Sequence, residues 1–206
     1  MTPDVSFVEP LVRRRLSPLA RMVLRVAEDC ASGLADVRVV YASRHGELAR
    51  TTTMLENLAD GEGLSPMLFS MSVLNSSVGL YSILKQNTAP SSAVSGGISS
   101  FCYGWLEACL QFAEDPEKPV LFLYADEPAP VVFQAEDSPG MGAHALGALL
   151  ASPGDLQIGF SFSDLAAGVT DAPPCEPPAQ AFVRCLVDGK AAWVGEGRCW
   201  QWERLS

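Results

Sequence analysis

Apolar residues recur along this chain at two different spacings, and the spacing separates segments that coil from segments that extend. Leu19, Met22, Val23, Val26, Ala27 and Cys30 fall three and four apart. They follow Ser17-Pro18, a capping hydroxyl and a proline suited to a first turn, and stop near Gly33, which predicts an amphipathic helix. Val37 to Ala42 (VRVVYA) is a short β-branched run and predicts a buried strand. Glu47 to about Ala59, with Leu48, Leu55 and Leu58, reads as a second helix broken by Asp60-Gly61-Glu62-Gly63. A third is expected over Asn75 to Leu84, with Asn75 as its cap and Val78, Ile83 and Leu84 turned inward.

Further along, Ser91 to Ser95 (SSAVS) reads as a small-residue strand, Gly96-Gly97 as a tight turn, and Ser99 to Phe112 as a helix. Val120 to Ala125 (VLFLYA) is a central strand, followed by a loop rich in proline and acidic residues from Asp126 to about Gly140. Ala143 to Ala151 and Ile158 to Phe162 are apolar enough for strands, and Ala179 to Leu186 for a short helix. The alternation of Trp200 with Trp202 fits a terminal strand that lays one face on the core. Residues 1–16 are expected to be a loop with a basic end, and Pro173, Pro174, Pro177 and Pro178 a rigid loop. Alternating helices and buried β-branched runs imply a layered α/β fold of three layers, with residues 1–206 forming a single domain.

Composition narrows the classes. Of 206 residues, 48% are hydrophobic, enough for a sizeable core. No apolar run approaches the roughly 18 residues that span a bilayer; Ser and Asn interrupt the nearest one, Ser65 to Leu84. Arg13, Arg14 and Arg15 precede an amphipathic segment and not a continuous apolar one, so no signal peptide is expected, and the reading is cytoplasmic. The six cysteines are then expected as free thiols, with Cys102 and Cys109 packed one above the other on a helix. A net charge of −10 argues against nucleic acid, and two histidines, His45 and His144, are too few for a His-rich metal site. No metal or organic cofactor is implied.

SPMLFSMSVLNSSVGLYSI (65–83), NTAPSSAVSGGISSFCYGWLEA (87–108) and VLFLYADE (120–127) together resemble the N-terminal half of β-ketoacyl synthases. RRRLSPLARM (13–22) and Asp126-Glu127-Pro128 are similar to the short chain-length-factor-like proteins of aryl polyene and xanthomonadin-type pigment pathways. The resemblance implies a thiolase-like fold, half of a synthase. In that fold a small-residue strand leads into a sharp elbow that carries the nucleophilic cysteine. Laid on the pattern through Pro90, the nucleophile position falls on Ile98, which has no lone pair to attack a thioester. The synthase histidines are expected in a further half beyond this chain, and neither His45 nor His144 sits in a matching motif. The resemblance thus implies a non-catalytic subunit that pairs with a ketosynthase, meets an acyl carrier protein indirectly, and is able to form a homodimer alone. Ser92, Ala93, Val94 and Ser95 would form the paired strand and Gly96-Gly97 its turn. Ile98, Phe101, Cys102 and Trp105 would wall an acyl tunnel near that interface.

Two other readings stand beside this one. Ser99, Asp126 and His144 occur in the chain order of an α/β-hydrolase triad, although Phe101 takes the place of the last glycine of the elbow motif. The chain could also be a structural scaffold that never touches an acyl group. Asp126 and Glu127 are expected at a solvated strand end, and Arg13 to Arg15 as a solvated charge run.

Overall fold

The computed structural model describes residues 2–136, 142–165 and 176–205. Its first sheet has the order β2-β1-β3-β4. Strand β1 (Arg38–Ala42) pairs in parallel with β2 (Ser91–Val94) and with β3 (Val120–Asp126), and β3 pairs antiparallel with β4 (His144–Leu150). In register, Tyr41 lies between Ala93 and Leu123. All seven positions of β3 are buried, as expected of a strand covered on both faces.

Alternation along these strands builds two cores. Val39, Tyr41, Leu121, Leu123 and Ala125 face helices α2 (Pro18–Ala31) and α5 (Ser76–Lys85). Val40, Ala42, Val120, Phe122 and Tyr124 face helix α6 (Ser100–Glu114). Each fully buried Val, Leu or Phe contributes roughly 1.5–3 kcal/mol relative to exposure. Ser17 caps α2 by accepting a hydrogen bond from the Ala20 N–H at 2.9 Å, and Gly33 follows with φ +89°.

Beyond α6 lies a second sheet, antiparallel, with the order β5-β7-β6. It comprises β5 (Ile158–Asp164), β6 (Lys190–Gly195) and β7 (Arg198–Arg204), with α7 (Pro178–Asp188) packed on it. Phe101 stands between the sheets: its ring meets Phe122 and Tyr124 edge-on at 5.4 and 5.2 Å, and Trp202 at 6.1 Å. Trp200 and Trp202 both point inward, as their spacing predicts, and Trp193 of β6 joins them. The order is helices, sheet, helices, sheet. The fold therefore has a fourth layer beyond the three expected, because β5 to β7 form a sheet of their own.

Several local expectations are revised. The N-terminal stretch contains a short helix, α1 (Pro10–Arg13), and sends Val5, Val8 and Leu16 into the core. Helix α3 (Leu48–Ala59) matches its expectation, but α4 (Pro66–Ser70) was hidden in the interrupted apolar run. Ile83 is 76% exposed; at 100° per residue it sits roughly 140° round the helix from Val78. Asn75 occupies the N-cap position of α5 without a side-chain capping bond. The acidic loop includes a 3-10 turn, Val131–Glu136. Pro173 and Pro174 lie outside the described residues, while Pro177 and Pro178 start α7. Among the described residues, no helix is long and apolar enough to cross a membrane.

Candidate functional site

The carboxyl ends of β1, β2 and β3 converge, the place where open α/β sheets gather their functional loops. Asp126, at the end of β3, is 5% exposed. Its carboxylate accepts hydrogen bonds from the Ser43 hydroxyl at 2.8 Å and from the backbone N–H groups of Arg44 at 2.8 Å and His45 at 3.1 Å. Ser43 Oγ also accepts from the Gly46 N–H at 2.8 Å. Ser95 Oγ donates to the Arg44 carbonyl at 3.2 Å, which ties the end of β2 to the same loop. Asp126 is therefore a buried anchor and not the solvated strand end expected from sequence. Burial raises the pKa of neighbouring Glu127, and the charges of Glu47 and Asp126 add to that effect.

From β2 the chain turns sharply into α6. Gly97 has φ +58°, a backbone state that favours glycine. The Ser99 and Ser100 N–H groups donate to the Gly96 and Gly97 carbonyls at 3.1 and 3.3 Å. The Ser100 hydroxyl locks the turn, donating to Gly97 O at 2.7 Å and accepting from the Gly96 N–H at 2.9 Å. Ile98 is half-buried and packs on the core between the sheets. Sequence placed this strand, turn and helix correctly.

Among the described residues, β2 has a sheet neighbour on one side only. Val39 N–H donates to Pro90 O and Ser43 N–H to Val94 O, so the backbone groups of Ala93 face the open edge. Ala93 is half-buried, and Ser92 Oγ accepts from Gln111 Nε2 at 3.2 Å. A cleft of about 300 Å³ runs along the edge, lined by Leu74, Asn75, Val78, Ser91, Ser92 and Ala93. Leu74 was not singled out in the sequence; it lines the cleft together with Ser91, the first residue of β2.

Other expected residues are placed differently. Phe101, Cys102 and Trp105 are buried in the aromatic core between the sheets, where α6 turns them toward Phe122, Tyr124 and Phe182. Burial pushes the Cys102 thiol well above its ordinary pKa, and Glu196 adds to that; Cys109, half-buried, is pushed up by burial to about 11. Neither thiol is poised as a thiolate. The Ser99–Asp126–His144 triad is not assembled. Asp126 is engaged by the Ser43–His45 loop, His144 Nδ1 contacts the Gly142 carbonyl at 2.9 Å, and Ser99 Oγ has no partner among the described residues. No three His, Cys, Asp or Glu side chains converge among the described residues.

A parallel-centred sheet, an edge strand feeding a glycine elbow, and a helix enclosed by a second sheet define a thiolase-like ketosynthase fold. The chain belongs to the β-ketoacyl synthase N-terminal domain family, whose model matches residues 1–203. It is similar to a chain of the ketosynthase (ApeO) in complex with its chain length factor (ApeC) from Xenorhabdus doucetiae. The TM-score is 0.80 at 29% identity, over 96% of this chain and 82% of that one. It also resembles the ishigamide ketosynthase/chain length factor, with a TM-score of 0.58 at 14% identity. That match covers 85% of this chain but 54% of the other. No curated protein matches.

Proposed function

We propose that this protein is a non-catalytic, chain-length-factor-like subunit that pairs with an active ketosynthase. Ile98 at the elbow carries the reading: a hydrocarbon stands where a condensing enzyme needs a thiolate. The buried Cys102 is no substitute, since its thiol holds its proton. The open edge of β2 supports a partner. Small side chains and outward-facing backbone groups at Ala93 let another strand approach closely. The likeness in both coverage and length to a chain of a ketosynthase–chain length factor complex points to a ketosynthase as that partner. On the sequence resemblance of residues 13–22 and 126–128, the proposal extends to aryl polyene-type pigment assembly in the cytoplasm, with acyl carrier protein met through the ketosynthase and not directly.

The test is reconstitution of the cognate ketosynthase with acyl and malonyl carrier-protein thioesters, with and without this chain. The expected result is no acyl group on this protein by intact mass and a product length that changes when it is omitted. An acylated chain would contradict the non-catalytic reading. Unchanged product lengths with wild type and Ile98→Trp would contradict length control and leave only a scaffold.

A further inference from the structure

We propose that the tip of the β6–β7 hairpin is a built-in stopper, with the Glu196 carboxylate closing the elbow where an acyl thioester would approach residue 98. The inference rests on the elbow being a degenerate synthase apex, but its test needs no ketosynthase, so the two readings fail separately.

The contact is tight on both glycines of the elbow, for different reasons. A Cβ on Gly97 would lie 2.6 Å from Glu196 Oε1, so the carboxylate rests directly on the turn. A Cβ on Gly96 would lie 2.7 Å from the Tyr103 ring. The Tyr103 hydroxyl in turn accepts a 2.8 Å hydrogen bond from Arg198, the first residue of β7. Tyr103 also meets Trp200 edge-on at 5.2 Å. The hairpin tip and the elbow are thus clamped together by Glu196 on one glycine and by the Arg198–Tyr103 pair on the other.

The hairpin is built to deliver this carboxylate. Gly195 pairs with Arg198, leaving a two-residue turn in which Glu196 has φ 53° and Gly197 φ 76°. Such turns favour Asn, Asp or Gly at the first position. A glutamate held in the left-handed region is an uncommon choice that its surroundings must enforce. Gly195 is pinned by the Trp193 ring, 2.2 Å from where its Cβ would be, which fixes the direction of the tip. The site favours an anion, since the positive end of the 15-residue helix α6 begins at Ser100. Glu196 is close enough to this first turn for its charge to act on Cys102.

The experiment places a reporter thiol at the apex. Ile98→Cys and the double variant Ile98→Cys/Glu196→Gly are treated with iodoacetamide at pH 8, and modification of residue 98 is followed by peptide mass spectrometry. Glycine suits the left-handed turn, so the second change keeps the hairpin. Removing the stopper is expected to raise the labelling rate about tenfold, the change in thiolate that one unit of thiol pKa makes when the pKa lies above the working pH. Equal rates overturn the proposal. Should the Ile98→Cys background fail to fold, hydrogen exchange is compared between wild type and Glu196→Gly. Faster exchange of the first-turn amides of α6, with β3 unchanged, supports the stopper, and unchanged exchange there overturns it.

Discussion

A Cβ added to Gly104 would come within 2.4 Å of the Ala42 Cβ, so helix α6 meets strand β1 with no room for a side chain between them. This contact sets the height of the elbow above the sheet. Gly104→Ala forces α6 outward and is expected to lower unfolding free energy by about 1–3 kcal/mol. Gly79, exposed in the middle of α5 with nothing among the described residues near its missing Cβ, makes the opposite case. Gly79→Ala is expected to stabilise by about 0.5–1 kcal/mol through helix propensity. Denaturant titration of the two variants checks both signs.

Asp126 gathers one hydroxyl and two backbone N–H groups from the Ser43–His45 loop. Asp126→Asn replaces one acceptor oxygen with a donor and leaves a buried N–H unmatched, which costs about 1–3 kcal/mol. Hydrogen exchange is expected to speed up at the Arg44 and His45 amides before it does in β3.

Glu47 is buried, and desolvation raises its pKa above the ordinary 4.5 although Ser17 and Arg50 oppose the shift. An acid whose folded value lies above its unfolded value binds its proton more tightly when folded. Its contribution is therefore most favourable below pH 4.5 and declines as pH rises through the raised value. Glu47→Gln lacks this dependence. Wild type is expected to gain stability relative to Glu47→Gln as pH falls from 7 toward 4.5, read from unfolding curves at matched pH. A gap that is flat with pH would contradict the assignment.

Cys102 sits in the aromatic core with its thiol pKa raised by burial. In native protein it is expected to resist iodoacetamide at pH 8 and to react fully once denatured, as mapped by peptide mass.

What the sequence made legible is local. The Trp200–Trp202 alternation, the Ser17-Pro18 start and the small-residue strand into Gly96-Gly97 all carry their signal within a few residues. Ile83 failed because its helix is short and apolar on more than one side. Asp126 could not be recognised as a buried anchor, since its partner Ser43 lies 83 residues away. The role of Glu196 was equally hidden: Glu-Gly is a poor turn signature, and the elbow it covers is a distant part of the chain. Phe101 and Trp105 could be placed on a helix, but the second sheet decides which way they face.

The proposed pairing puts a ketosynthase on the open side of β2. Ala93→Pro tests it most directly: proline deletes an N–H that faces outward and leaves the β1 pairing untouched, a change that edge strands tolerate. Wild type and Ala93→Pro are each co-expressed with the cognate ketosynthase and examined by size exclusion with light scattering, with the melting temperature of each free chain measured alongside. The expected result is a one-to-one heterodimer for wild type and none for Ala93→Pro, at similar melting temperatures. Absence of a wild-type complex, or a variant complex of unchanged stability, would contradict the account.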